Sequence, residues 1–149
     1  VATGEIYETF MAHGGPDYAL EFAHGYTYSG HPVACAAGLA ALEVLSREKL
    51  PAHVAKEAPF WEGLLHDNLA DKPHVADVRN YGFAGALTLE PYPGEPMRRP
   101  FEVAMRMWEK GFLVRYGGDT IQLAPHFVMQ REQMSSLVGA LSDSLTELA

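Results

Sequence analysis

The residues best placed to do chemistry lie in the run His24-Gly25-Tyr26-Thr27-Tyr28-Ser29-Gly30-His31-Pro32, which leads into Val33-Ala34-Cys35-Ala36-Ala37-Gly38-Leu39-Ala40. Thr27 and Ser29 offer hydroxyl donors in a glycine-bracketed loop. Pro32 suits a first helical position, because its missing N–H would have had no intrahelical partner there. The amides that follow are then free and carry the positive end of the helix dipole. Hydroxyls and amides together form a pocket for an anion, above all a phosphate. The same pattern also describes a capped helix start with no ligand. His24 and His31 have no acidic or cysteine companion at ligand spacing, so they do not read as a metal site. Cys35, the single cysteine, sits among alanines and is expected to be a buried, inert thiol.

These residues need a scaffold, and 149 residues suffice for one ordinary domain with a usable core. Apolar content of 48% and charged content of 20% are those of a globular protein. The net charge of −8 argues against nucleic acid or an anionic membrane as partner. One cysteine excludes an internal disulfide and fits a cytoplasmic setting. Residues 1–15 lack the basic start and apolar run of a signal peptide, and the apolar run 33–42 is too short to span a bilayer. The chain opens at Val1 and passes at once into Ile6-Tyr7-Glu8-Thr9-Phe10, a helical piece with nothing before it to pack on. A fragment or processed product is therefore expected.

The pattern predicts a short helix over 3–11 capped by Thr3, a loop at 13–17, and an extended or irregular stretch over 18–27. A helix of small residues follows over 32–48, whose packing face would lie open in isolation. A second helix over 51–70 places Val54, Ala58, Trp61, Leu64, Leu65 and Leu69 on one side. Val75, Val78 and then Phe83 to Leu89 read as two strands joined at Asn80-Tyr81-Gly82. Glu90 to Pro100 reads as a loop with Pro91, Pro93, Pro96 and Pro100. A helix over 101–110 with Val103, Met107 and Trp108 inward stops at Gly111. Phe112 to Tyr116 and Thr120 to Leu123 flank Gly117-Gly118-Asp119 as a hairpin, and a helix over 131–148 closes the chain on Met134, Leu137, Val138, Leu141 and Leu145. The outcome is an α+β domain: a small, mainly antiparallel sheet with helices on one face. Residues 1–30 fit that plan poorly and read as the remnant of another unit, with 31–149 as a linking helix and small domain.

Three motifs, taken in order, resemble the class III, pyridoxal-phosphate-dependent aminotransferases. They are the run from His24 to Gly38, the run Asp77-Val78-Arg79-Asn80-Tyr81-Gly82-Phe83-Ala84-Gly85-Ala86, and the run Gly111-Phe112-Leu113-Val114-Arg115-Tyr116-Gly117-Gly118-Asp119-Thr120-Ile121-Gln122. The last is similar to the subgroup that works on ω-amino acids such as β-alanine with pyruvate. The resemblance implies the C-terminal part of a fold-type-I enzyme, a homodimer or higher homo-oligomer whose active sites are shared at the subunit interface. It implies that Thr27 reaches the cofactor phosphate of the neighbouring subunit, with Tyr26 and Ser29 as lining. It further implies that Arg115 binds the substrate carboxylate, a role suited to the fork of a guanidinium. Without the resemblance, Arg115 reads as a surface or salt-bridge residue. Gly117-Gly118 would let the arginine swing aside for amines that lack a carboxylate. Asp119 serves equally as turn cap or as orienting partner, and Arg79 reads as structural.

One departure from the family pattern is large. Its reaction needs a lysine that carries the cofactor, and none of Lys49, Lys56, Lys72 and Lys110 lies in the family's lysine motif. That motif belongs upstream of the region matching Val1, with the rest of the large domain. The resemblance thus implies an aminotransferase for the whole protein and no activity for these 149 residues alone. The alternative is a non-catalytic carboxylate-binding or dimerisation module derived from that fold.

Overall fold

The computed structural model describes residues 3–12, 16 and 25–148. The chain falls into two compact units, Val1–Leu42 and Glu43–Ala149, the division lying within a helix. The loop expected at 13–17 and the irregular stretch over 18–27 lie largely outside the described residues, as does His24.

In the first unit, α1 (Gly4–Ala12) begins where Thr3 caps it: the Ile6 amide donates to Thr3 Oγ1 at 3.4 Å and the Tyr7 amide to the Thr3 carbonyl at 3.1 Å. The helix α2 (Pro32–Arg47) starts on its proline, as the missing N–H favours. No residue of α2 is buried, and Val33, Leu39 and Leu42 are exposed. Cys35 is exposed with them, so the expected burial of its thiol is not met. Small and apolar residues are interspersed along α2, so its sequence does not distinguish a covered face from an open one.

The second unit is built on a four-stranded sheet in the order β1-β2-β4-β3, with every neighbouring pair antiparallel. Helix α3 (Leu50–Leu69) precedes β1 (Val75–Tyr81) and β2 (Ala84–Leu89). Helix α4 (Arg98–Glu109) crosses to β3 (Arg115–Gly117), β4 (Thr120–Leu123) follows, and α5 (Arg131–Thr146) closes the unit. Alternation decides the two faces of the sheet. Leu87, Leu89, Ile121 and Leu123 face the helices and meet Trp61, Leu65 and Leu69 of α3, Val103 and Met107 of α4, and Met134, Val138, Leu141 and Leu145 of α5. Each such fully buried side chain contributes roughly 1.5–3 kcal/mol. Gly85 permits the close seating of α3, because a Cβ there would stand 3.1 Å from Leu65 Cδ1.

Three expectations need correction. Helix α4 starts at Arg98, so Pro100 lies in its first turn, where a proline costs no hydrogen bond. Trp108 is exposed rather than inward, because Val103, Ala104 and Met107 already complete the apolar stripe of α4. Residues 112–114 are outside the ladder, which leaves β3 only three residues long.

An ion pair clamps α3 to α5. Arg131 Nε donates to Glu57 Oε2 at 2.6 Å, the guanidinium lies 4.5 Å from the Phe60 ring centroid, and the residue Glu57 is buried. The hydrogen bond from Arg131, reinforced by its charge and that of Lys56, holds the Glu57 carboxyl below its ordinary value despite burial. Together with His53, Met129, Gln130 and Glu132, the pair lines a cavity of about 160 Å³.

Candidate functional site

The turn at residues 27–30 carries the first set of candidate residues. Its form is local chemistry: the Tyr26 amide donates to Ser29 Oγ at 3.1 Å, and the Ser29 amide returns to the Tyr26 carbonyl at 2.9 Å. Gly30 then takes φ 76°, a left-handed conformation that costs glycine nothing, and the chain enters α2. Tyr26 and Thr27 are exposed. Among the described residues the Thr27 hydroxyl has no hydrogen-bond partner, whereas Ser29 Oγ already accepts from the Tyr26 amide. The Cys35 amide bonds the His31 carbonyl at 2.9 Å, while the Val33 and Ala34 amides at the start of α2 find no acceptor among the described residues. An uncommitted hydroxyl and uncommitted helix-start amides, on one loop-to-helix junction, are donor types that fit a phosphate, and pyridoxal phosphate carries one.

The second set lies on the sheet face turned away from the helices. Register aligns one row straight across the sheet: Arg79 opposite Ala86, Ala86 opposite Gln122, and Gln122 opposite Arg115. The neighbouring row is Asp77, Thr88, Thr120 and Gly117. Arg79 is tied down as expected, donating to Asp77 Oδ2 at 2.5 Å and to Thr88 Oγ1 at 2.8 Å. Thr88 Oγ1 lies 3.4 Å from Thr120 Oγ1, which donates to Asp119 Oδ1 at 2.9 Å. Asp119 is thus bonded within its own turn. Gly118 supplies φ 59° at the first position of that two-residue turn, the conformation a tight hairpin demands.

Arg115 is different. It is exposed and has neither ion pair nor hydrogen bond among the described residues, while Arg47, Arg79, Arg98, Arg106 and Arg131 all have carboxylate partners. Arg99 also lacks an ion pair, but it is buried and stacked on Tyr92 at 4.2 Å. Arg115 is therefore the exposed guanidinium free to take a carboxylate from outside. Gln122 is not among the candidates singled out from sequence, although the alternation Thr120, Ile121, Gln122, Leu123 already places it on the polar face.

The lysines stand on the surface in other work. Lys110 Nζ bonds Glu147 at 2.8 Å, Lys56 lies 3.8 Å from Glu57, Lys72 is 3.5 Å from Thr146 Oγ1, and Lys49 is an exposed left-handed residue at the start of α3. Among the described residues no group of histidine, cysteine, aspartate and glutamate could hold a metal ion, and no helix is long and apolar enough to cross a membrane.

The family model for class-III aminotransferases matches residues 1–145. The chain belongs to that family. This class-III aminotransferase chain is 48% identical over 149 residues to the β-alanine–pyruvate aminotransferase of Pseudomonas aeruginosa, all of this chain aligning with 33% of that protein. It is also 48% identical to the ω-amino acid–pyruvate aminotransferase of Pseudomonas putida, across 99% of this chain and 33% of that one. Among solved structures, a thermostable (S)-enantioselective ω-transaminase from Thermomicrobium roseum superposes with a TM-score of 0.78 at 29% identity, covering 98% of this chain and 33% of its own. A PLP-bound aminotransferase mutant from Vibrio fluvialis gives 0.75 at 30% identity, covering 85% and 29%. The class-III aminotransferase chain spans about a third of the length of the relatives it matches.

Proposed function

We propose that this chain is the C-terminal third of a pyridoxal-phosphate-dependent transaminase that moves an amino group from an ω-amino acid such as β-alanine, or from an amine, to pyruvate. The observation that carries the reading is the uncommitted Arg115 on the open sheet face, in a chain 48% identical to aminotransferases named for pyruvate. Pyruvate and an ω-amino acid both carry a carboxylate, and a guanidinium without a partner binds one through two charge-assisted hydrogen bonds. Bound pyridoxal phosphate supplies the electron sink for the chemistry at the amine-bearing carbon.

The residues of this chain bind and orient. The Thr27 hydroxyl, with Tyr26 and Ser29 beside it, holds the phosphate of the cofactor in a neighbouring subunit. Arg115 fixes the substrate by its carboxylate, and the small Gly117-Gly118 pair gives the guanidinium room to withdraw for donors that lack one. In this reading residues 1–30 belong to the large domain, 31–149 are the linking helix and small domain, and the cofactor-bearing lysine lies in the remainder of the protein. A homodimer with shared sites and a cytoplasmic setting are part of the same proposal. The exposed apolar side chains of α2 and the single cysteine support these two points respectively.

The test is direct. Full-length protein supplied with pyridoxal phosphate should form alanine from pyruvate with β-alanine as donor, and the 149-residue chain alone should form none. Absence of alanine with every ω-amino acid and amine tried would instead favour a non-catalytic carboxylate-binding or dimerisation module.

A further inference from the structure

We infer that Gln122 is a second carboxylate-binding residue, donating its side-chain amide to the same substrate carboxylate that Arg115 clasps. The inference rests on the reading of Arg115 given above. Gln122 stands directly opposite Arg115 in the β3–β4 ladder, so both side chains rise from the same sheet face. Directly opposed residues of antiparallel strands have Cβ atoms about 5 Å apart, which lets two long side chains converge on one small anion. Gln122 is exposed, and its amide makes no hydrogen bond among the described residues.

The neighbours favour the same conclusion. The Gln122 side chain leans over Gly117: its Nε2 lies 3.5 Å from where a Cβ on Gly117 would stand. Ala86, on its other side, is too short to cover it. Carboxylates that would compete for Arg115 are engaged elsewhere, Asp77 with Arg79 and Asp119 with Thr120. What remains on this part of the face is one cation and one neutral amide, both uncommitted. A carboxylate has two oxygens and about four acceptor sites, so after a bidentate grip by Arg115 it still accepts from an N–H of Gln122.

The experiment uses the full-length protein with pyridoxal phosphate and three variants: Gln122→Ala, Gln122→Glu and Arg115→Ala. The readout is the KM for pyruvate set against the KM for a carboxylate-free donor, 1-phenylethylamine. Loss of one donor to a charged acceptor predicts a rise in pyruvate KM of about tenfold for Gln122→Ala, with the amine KM unmoved. Gln122→Glu should raise it further, because it places an anion opposite Arg115. A general structural defect would move both KM values together, and that outcome overturns the inference. Unchanged pyruvate KM in both Gln122 variants, with a large rise in Arg115→Ala, also overturns it while leaving the Arg115 reading intact. Unchanged pyruvate KM in all three variants removes the Arg115 reading and this inference together.

Discussion

Thr27→Ala tests the proposed contact between this chain and the cofactor phosphate. The hydroxyl is exposed and has no partner among the described residues, so among them its removal strips no bond. The turn holds its shape through Tyr26 and Ser29, and neither of those bonds involves the Thr27 side chain. The whole effect should therefore fall on the ligand. A hydrogen bond to a charged acceptor contributes roughly 1.5–3 kcal/mol, or about ten- to a hundredfold in affinity. The assay is a titration of full-length apoprotein with pyridoxal phosphate, followed by absorbance, on the parent, Thr27→Ala and Thr27→Ser. Serine keeps the hydroxyl and should restore most of the affinity, while the melting temperatures of the three apoproteins should coincide. Equal affinity in Thr27→Ala and the parent would refute the assignment. A lowered apoprotein melting temperature would refute the argument that the hydroxyl is uncommitted.

Two further predictions concern the second unit. Glu57→Gln should lower the melting temperature at neutral pH. The depressed carboxyl contributes stability above its ordinary value of 4.5, and that contribution disappears as pH falls through the lowered value. The gap from the parent should close in acid, and a gap that widens there would contradict the Arg131 clamp. Leu87→Ala empties a fully buried position between the sheet and the helices and should cost roughly 2–5 kcal/mol in urea unfolding. A cost below about 1 kcal/mol would mean that the core described is not the one that holds the unit together.

Periodic apolar spacing carried most of the fold into view. Helices α3 and α5 present the expected stripes, and Trp61, Leu65, Leu69, Met134, Leu137, Val138, Leu141 and Leu145 are buried as that spacing requires. Local chemistry carried the punctuation: Thr3 caps α1, Pro32 opens α2, and Gly111 ends α4 with φ 86°. The misses share a cause, which is that partners distant in sequence decided them. Trp108 is apolar enough to be inward, yet the α4 stripe is complete without it. Cys35 looks buried by composition, but it is exposed and no residue of α2 is buried. At the candidate site, residue type and motif single out Thr27 and Arg115 as candidates, and the structure leaves both exposed. The pairing of Gln122 with Arg115 is not legible in the sequence, because it depends on strand register, and so does the chain of bonds from Asp77 through Arg79, Thr88 and Thr120 to Asp119. Glu57 escaped notice because its burial depends on an arginine supplied from α5.

The central claim is that these residues grip a phosphate and a carboxylate while the covalent attachment of the cofactor lies elsewhere in the protein. Borohydride reduction of the full-length protein with pyridoxal phosphate, followed by peptide mass mapping, tests it most directly. A single phosphopyridoxyl group on a lysine outside these 149 residues is the predicted result. Labelling of Lys49, Lys56, Lys72 or Lys110, or no label at all, would contradict the account.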